Sequence, residues 1–287
     1  MVNESESDKL FITDLLLSHY QIIAETITDI CNLHNIEVSV VSNAKDYWCR
    51  DFMPLQVNKN KFVQFVFDPT YYKSKKYSHL KTDINALNHS FTGEVFYSNI
   101  VLDGGNICSY NDKAIISEKV FRDNPLYPKQ TLINELTNHL ELDKIVFVPT
   151  VPYDITGHSD GMVKFINEDT IFLNDFSKIC SKTYLNKLHR ALKGFNVVPM
   201  TNELHKNKLK DDATGDYINM IVVKDLIFLS AYGNTSDEVA FRTVEAAFPS
   251  HDIKQIKTNA LAAKGGVLHC ATWNLYEKEN GTLSHKF

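Results

Sequence analysis

At 287 residues the chain can hold one large domain or two ordinary ones, and a hydrophobic content of 44% is ample for a sizeable core. Its net charge of −5 comes from 35 acidic and 30 basic residues scattered without a long run of one sign, which argues against nucleic acid as a partner. No uncharged apolar run approaches about 18 residues, and Met1 to Asp8 is polar and acidic, so neither a membrane span nor a secretory signal is expected and the cytoplasm is the predicted compartment.

Leu10 to Leu33 carries apolar residues at helical spacing and is followed by the β-rich Ile36 to Val41, which predicts a helix feeding a strand. A loop ending in Trp48-Cys49-Arg50-Asp51 precedes two predicted strands, Phe52 to Val57 and Lys61 to Phe67, joined by the turn-forming Asn58-Lys59-Asn60. Tyr71 to His89 is polar and lysine-rich and supports only a weak helix. Val95 to Leu102 reads as a strand running into Asp103-Gly104-Gly105-Asn106.

The pattern then repeats. Ile107 to Tyr110 and Lys113 to Val120 predict a hairpin, Lys129 to Leu140 an amphipathic helix, and Lys144 to Val148 a strand whose loop ends in Gly157-His158-Ser159-Asp160. Next come a hairpin over Gly161 to Ile166 and Thr170 to Leu173, a helix over Lys182 to Leu192, a strand over Phe195 to Val198, and a loop ending in Gly215 to Asn219. A last round reads as a hairpin over Ile218 to Val223 and Leu226 to Ser230, a helix over Asp237 to Ala247 and a strand over Ile253 to Thr258, with its loop ending at Cys270. Thr272 to Glu277 and Thr282 to His285, around an Asn280-Gly281 turn, predict a terminal hairpin that completes one unit with the N-terminal helix and strand.

Asp51, Asp103, His158, Asp216 and Cys270 are therefore spaced by 52, 55, 58 and 54 residues, each interval predicted to hold a hairpin, a helix and a strand. A period above about 50 residues points to a propeller-like or solenoid array whose repeats share a core. The expectation is a single α/β domain over residues 1–287, built of five ββαβ units around an axis that gathers the five loop ends.

Those ends carry the chemistry. A lone cysteine beside Val267 and Leu268 ordinarily reads as a small buried hydrophobe. A thiol with an ordinary pKa of about 8.5 becomes a nucleophile near neutral pH when a positive neighbour lowers it, and His158 or a cationic substrate can supply that charge. An unperturbed histidine titrates near about 6.5 and suits proton transfer to a leaving group. Asp51 and Asp160 at one focus imply a cation between them, and a planar guanidinium matches best. Each has a plainer reading: Asp51, after Arg50 at a strand start, as a turn or salt-bridge residue, His158 and Asp160 as a polar turn, Asp216 and Asn219 as loop caps, Trp48 and Trp273 as core or as an apolar wall for a methylene chain. His269 would point away from Cys270 if its segment were extended, which favours a structural role. Joint recurrence at one phase of the repeat is what favours a site.

Four motifs carry a resemblance. Trp48-Cys49-Arg50-Asp51-Phe52-Met53-Pro54 resembles W-x-R-D-x-G-P, Asp103-Gly104-Gly105-Asn106 resembles [ED]-G-G-[SN], Gly157-His158-Ser159-Asp160 resembles G-H-x-D, and Gly265 to Thr272 resembles G-G-x-x-H-C-x-T. Together, in order and over nearly the whole chain, they are similar to the agmatine deiminase and bacterial-type peptidylarginine deiminase family. That resemblance implies the five-bladed α/β propeller, or pentein, with pseudo-fivefold symmetry. It also implies Cys270 as nucleophile, His158 as general acid and base, and Asp51 and Asp160 as guanidinium-binding carboxylates. Trp48, Asp103, Asp216 and Asn219 are further candidates for contact with the substrate.

Met53 stands where the family has Gly, Asp103 where agmatine deiminases have Glu, and Trp273-Asn274 where they have glutamines. The expected reaction is deimination of a small guanidino compound, agmatine first, with free or peptidyl arginine as alternatives. No cofactor or metal is expected, and a homodimer is what the resemblance implies. Two rival readings are a non-catalytic binding protein of the same fold and a metal hydrolase liganded by His158, Asp160 and Cys270.

Overall fold

The computed structural model describes residues 1–152, 154–204 and 212–277. Its first strand, β1 (Lys9–Thr13), leads through α1 (Asp14–His19) and α2 (Gln21–Leu33) to β2 (Glu37–Val41), with which it pairs in parallel. The short α3 (Cys49–Phe52) precedes β3 (Leu55–Asn58), which is antiparallel to β4 (Lys61–Val66), and β4 is parallel to β5 (Glu94–Val101). The same order recurs in β6 (Ile107–Tyr110), β7 (Lys113–Ser117), α4 (Lys119–Asp123), α5 (Lys129–Leu140) and β8 (Lys144–Val148).

A further unit comprises β9 (Val163–Asn167), β10 (Thr170–Asn174), α6 (Lys182–Ala191) and β11 (Asn196–Met200). Another comprises β12 (Ile221–Val223), β13 (Leu226–Ala231), α7 (Ser236–Ala247) and β14 (Asp252–Lys257). After α8 (Asn259–Ala262), β15 (Trp273–Leu275) pairs antiparallel with β1, Leu10 opposite Asn274, so the two ends of the chain complete one sheet. Among the described residues the result is an α/β fold of five three-stranded sheets. Among the described residues no helix is long and apolar enough to cross a membrane.

The middle strand of every sheet is an unbroken apolar run buried on both faces: Leu10 to Ile12, Phe62 with Val63, Ala114 to Ile116, Ile171 to Leu173 and Leu226 to Leu229. Strands covered on both sides read as continuous apolar stretches because neither face meets water. Crossover helices seal one face; α5 does so through Leu132, Leu136 and Leu140, spaced by one turn. The other face meets a neighbouring unit. One apolar cluster joins Leu55, Val63 and Phe65 to Ile116, Leu132 and Leu136, and another joins Leu10, Ile12 and Ile27 to Ile221, Val223 and Phe228. No sheet has a core of its own.

Two expectations need correction. Leu10 to Leu33 is not one helix: its first residues form β1, whose uninterrupted apolar run hides the alternation of a strand, and Thr13 caps α1 by accepting from the Leu16 amide at 3.1 Å. Tyr71 to His89 forms short 3-10 turns, Thr70–Lys73, Ser78–Leu80 and Ile84–Ala86, in place of a crossover helix. Among the described residues β15 pairs with β1, so the two chain ends share one unit as expected; the predicted Asn280-Gly281 turn and Thr282 to His285 lie outside the described residues.

Candidate active site

Asp51, Asp103, His158 with Asp160, Asp216 with Asn219, and Cys270 all lie just before the outer, antiparallel strand of a unit. A cavity of about 480 Å³ is lined by Trp48, Asp51, His158, Asp160, Asp216, Asn219 and Cys270. That size suits a small molecule. Asp103 is the exception: it is fully buried behind His158, where its Oδ2 faces His158 Nε2 at 2.9 Å and accepts from Lys119 Nζ at 2.6 Å. In place of the expected contact with substrate, Asp103 contacts His158: it is fully buried, does not border the cavity, and spends Oδ2 on His158 and Lys119 while Oδ1 has no hydrogen-bond partner among the described residues.

Asp51 Oδ1 accepts from the Gly105 amide at 3.1 Å and lies 3.6 Å from His158 Nδ1, while Tyr71 donates its hydroxyl to Asp51 Oδ2 at 3.3 Å. Arg50 does not pair with Asp51; its guanidinium reaches Asn274 Oδ1 at 2.6 Å, which uses one of the departures from the family pattern. Gly105 is where the walls converge. A Cβ there would lie 2.6 Å from Asp51 Oδ1, 2.8 Å from His158 Nδ1 and 3.3 Å from Asp160 Oδ2, so only glycine leaves these groups their places. Gly266 serves Trp48 likewise, a Cβ there falling 2.9 Å from the indole ring.

Cys270 sits at a turn, where its amide donates to Asn219 Oδ1 at 3.2 Å and its Sγ lies 3.7 Å from Asp160 Oδ2. The turn overturns the extended geometry assumed for His269. Instead of pointing away from the site, His269 places Nδ1 2.8 Å from Asp160 Oδ2 and Nε2 2.7 Å from Glu4 Oε1. Asp216 Oδ1 accepts from Asn174 Nδ2 at 3.1 Å and the Ile218 amide at 3.2 Å. Trp273 is core, its indole donating to the Pro54 carbonyl. Among the described residues no three His, Cys, Asp or Glu side chains are grouped as metal ligands.

The electrostatics follow from crowding carboxylates out of water. Burial pushes Asp51 up to about 7, with Asp103 and Asp160 adding to the rise and His158 opposing it. Burial likewise lifts Asp216 to about 7, against its bond from Asn174 and with help from Asp160. Asp160 is lowered: burial opposes its charge, but the hydrogen bond and charge of His269 together with the charges of His158 and Arg50 outweigh it. For Asp103 burial is overcome by Lys119 and His158, bringing it to about 2. His158 is raised to about 9, since Asp51 and Asp103 outweigh burial and hold the ring as a cation near neutrality. Burial, Asp160 and Asp51 drive the Cys270 thiol well above its ordinary value, so without a further positive charge it stays protonated.

Sequence reasoning missed Glu4, Tyr71 and Lys119. The first is 265 residues from the histidine it touches, and nothing in Met1 to Asp8 marks it out.

An α/β fold of this kind occurs in solved guanidino-modifying proteins. The agmatine deiminase of C. jejuni superposes with a TM-score of 0.74 at 20% identity, covering 96% of this chain and 95% of that one. The agmatine deiminase of Enterococcus faecalis gives 0.72 at 16% identity, covering 96% and 95%. In sequence, the agmatine deiminase of Stutzerimonas stutzeri (strain A1501) is 24% identical over 60% of this chain. The chain spans 56% of that relative's length, and 60% of the length of a relative from Marinomonas sp. (strain MWYL1). Residues 12–275 match the family described as Porphyromonas-type peptidyl-arginine deiminase. The chain belongs to that family.

Proposed function

We propose that this protein is a cytoplasmic hydrolytic deiminase of a small guanidino compound, agmatine first, working without a metal or cofactor. Its five units are read as one domain, a five-bladed pentein propeller with pseudo-fivefold symmetry, and a homodimer is its proposed assembly. One observation carries the functional reading: a cysteine thiol 3.7 Å from a buried carboxylate shares a small-molecule cavity with a second carboxylate and a histidine.

Asp51 and Asp160 both act against a thiolate at Cys270. A guanidinium between Asp51 and Asp160 would offset both carboxylates and place a positive charge beside Cys270 against the effect of burial, so the substrate itself favours the thiolate. The thiol proton leaves to solvent and the thiolate sulfur bonds to the guanidinium carbon. The carbon–nitrogen bond breaks as the His158 imidazolium gives its proton to the departing ammonia, leaving a thiouronium on Cys270. Neutral His158 takes a proton from water as the water oxygen bonds to that carbon; the carbon–sulfur bond then breaks to release the Cys270 thiolate, and the adduct's hydroxyl proton passes to the released ammonia, giving N-carbamoylputrescine from agmatine. The curated and solved relatives that bear the name agmatine deiminase support agmatine as the first substrate to try.

The test is ammonia release from agmatine, arginine, arginine ester and short arginine peptides, with Cys270→Ala alongside. Agmatine is expected to turn over, Cys270→Ala to be folded and inactive, and wild-type enzyme stopped with acid to carry substrate-derived mass on Cys270. Release from arginine or its peptides alone would move the substrate assignment. No release from any of them would favour a non-catalytic binding protein, and a Cys270→Ala variant within about tenfold of wild type, roughly 1.4 kcal/mol in barrier, would exclude covalent catalysis there.

A further inference from the structure

Before β1 the chain makes a single 3-10 turn, Glu4–Glu6, closed on itself because Glu6 Oε2 accepts from the Asn3 amide at 2.9 Å. The turn leaves Glu4 facing inward. Its Oε1 lies 2.7 Å from His269 Nε2, and its Oε2 accepts from Lys164 Nζ. Lys164, buried on β9, also donates to the Met220 carbonyl at 3.1 Å, which anchors this cation independently of Glu4. On the other side of the imidazole, Nδ1 is 2.8 Å from Asp160 Oδ2, the oxygen 3.7 Å from the thiol. The ring has one carboxylate at each nitrogen, so each carboxylate fixes the ring for the other.

We propose that Glu4 is a positioning residue of this site: through His269 it holds Asp160 at the angle needed to receive a guanidinium beside Cys270, which makes the N-terminal turn part of the active centre. The proposal rests on reading Asp160 as a guanidinium ligand. Asp46, Asp51, Asp160 and Asp216 are buried carboxylates that border the cavity, and they differ as the chain Glu4–His269–Asp160 requires: burial lifts Asp46 to about 6. Asp51 and Asp216 are pushed up by burial, whereas Asp160, the one backed by His269, is lowered. Glu4 is lowered as well; burial opposes its charge, but Lys164 and His269 outweigh it. Both ends of the chain therefore carry negative charge, and the centre that makes this possible is the histidine preceding the nucleophile.

The surroundings allow a test that separates this role from simple packing. A small cavity of about 60 Å³ is bordered by Glu4, Arg50 and His269. Glu4→Ala would enlarge it next to the Lys164 ammonium and the His269 ring, leaving room for a formate ion in place of the lost carboxylate. Glu4→Ala is expected to lower kcat/KM for agmatine roughly ten- to a hundredfold, the loss of one charge-assisted hydrogen bond, and formate is expected to recover most of it in a saturable way. Formate should help neither wild type nor Glu4→Gln, whose amide fills the space. A Glu4→Ala enzyme as active as wild type, or one whose loss formate does not repair, overturns the proposal.

Alkylation of Cys270 reads the same arrangement without turnover. Chloroacetamidine is a cation that a well-placed Asp160 should steer to the thiol, whereas iodoacetamide is neutral. Wild type is expected to react preferentially with the cation, and Glu4→Ala to lose that preference until formate is added. If Glu4→Ala fails to fold, Glu4→Gln keeps the volume and should still show a reduced preference; an unchanged ratio in Glu4→Gln counts against the proposal. Should wild type deiminate nothing yet show the formate-dependent preference, the functional reading fails and the positioning role stands. Should wild type turn over normally and both Glu4 variants match it, the positioning role alone fails.

Discussion

Replacing each of three buried carboxylates by its amide distinguishes those that hold a substrate cation from one that braces a loop. Asp51 is 7% exposed, Asp160 3% and Asp216 7%, so burial alone does not rank them. Their partners do. Asp51 and Asp160 turn toward the Gly105 focus, where a Cβ would sit within 3.3 Å of oxygens from both, whereas Asp216 spends Oδ1 on Asn174 and the Ile218 amide. A guanidinium stays protonated at any working pH, so it enters as a cation and loses its water there. Removing one partner of such a desolvated pair costs about 3 to 5 kcal/mol, because the other charge is left uncompensated. At about 1.4 kcal/mol per tenfold, Asp51→Asn and Asp160→Asn should each reduce kcat/KM by roughly two to four orders of magnitude. Asp216→Asn should cost about tenfold or less, since two hydrogen bonds of about 1 kcal/mol each are only partly lost to an amide oxygen that still accepts. Steady-state ammonia release at pH 8, with thermal unfolding of each variant to show that it is folded, measures all three. Comparable losses at Asp216 with near-normal kinetics at Asp51 would mean that the wrong pair has been assigned and that the substrate lies in another orientation.

Asp51→Asn should also make the empty protein more stable. Because burial raises the native carboxyl to about 7 from an ordinary value of 3.8, the native state binds more protons than the unfolded chain between those values. The wild type therefore loses stability as pH rises through that window, by a few kcal/mol, so the gain in unfolding midpoint should be clear at pH 8 and shrink toward pH 5; equal midpoints at both would refute the raised carboxyl. Gly105→Ala should leave the fold intact yet reduce kcat/KM by about a hundredfold, since moving Asp51 or His158 by even ~1 Å removes the alignment that catalysis needs. Near-normal kinetics for Gly105→Ala would show that Asp51 and His158 have slack that the structure does not give them.

Much of this was legible along the chain because it depends on neighbours. The bounds of α5 and β8 follow from the apolar spacing over Lys129–Leu140 and Lys144–Val148, and the intervals between Asp51, Asp103, His158, Asp216 and Cys270 disclose a recurring unit before any contact is known. A repeat delivers the same loop to the same place each time, so a short motif within it carries long-range information. Where both faces of an element are covered, that information disappears. Leu10-Phe11-Ile12 shows no alternation because one side of β1 meets its helices and the other the next unit, and only assembly decides between strand and helix.

The pairing of charges lies further from sequence. Asp103 and Asp160 stand at equivalent-looking loop ends, yet one is consumed by Lys119 and His158 while the other borders the cavity. His269 was misread because the backbone turns at Cys270, and Glu4 was invisible because its partner is 265 residues away. The sequence by itself determined which residue types each loop carries and how often the loops recur, since periodicity and motif spacing are local properties. Only the tertiary structure decided which carboxylates meet a counter-charge, because those energies depend on distances and dielectric surroundings that exist once the sheets have closed over them.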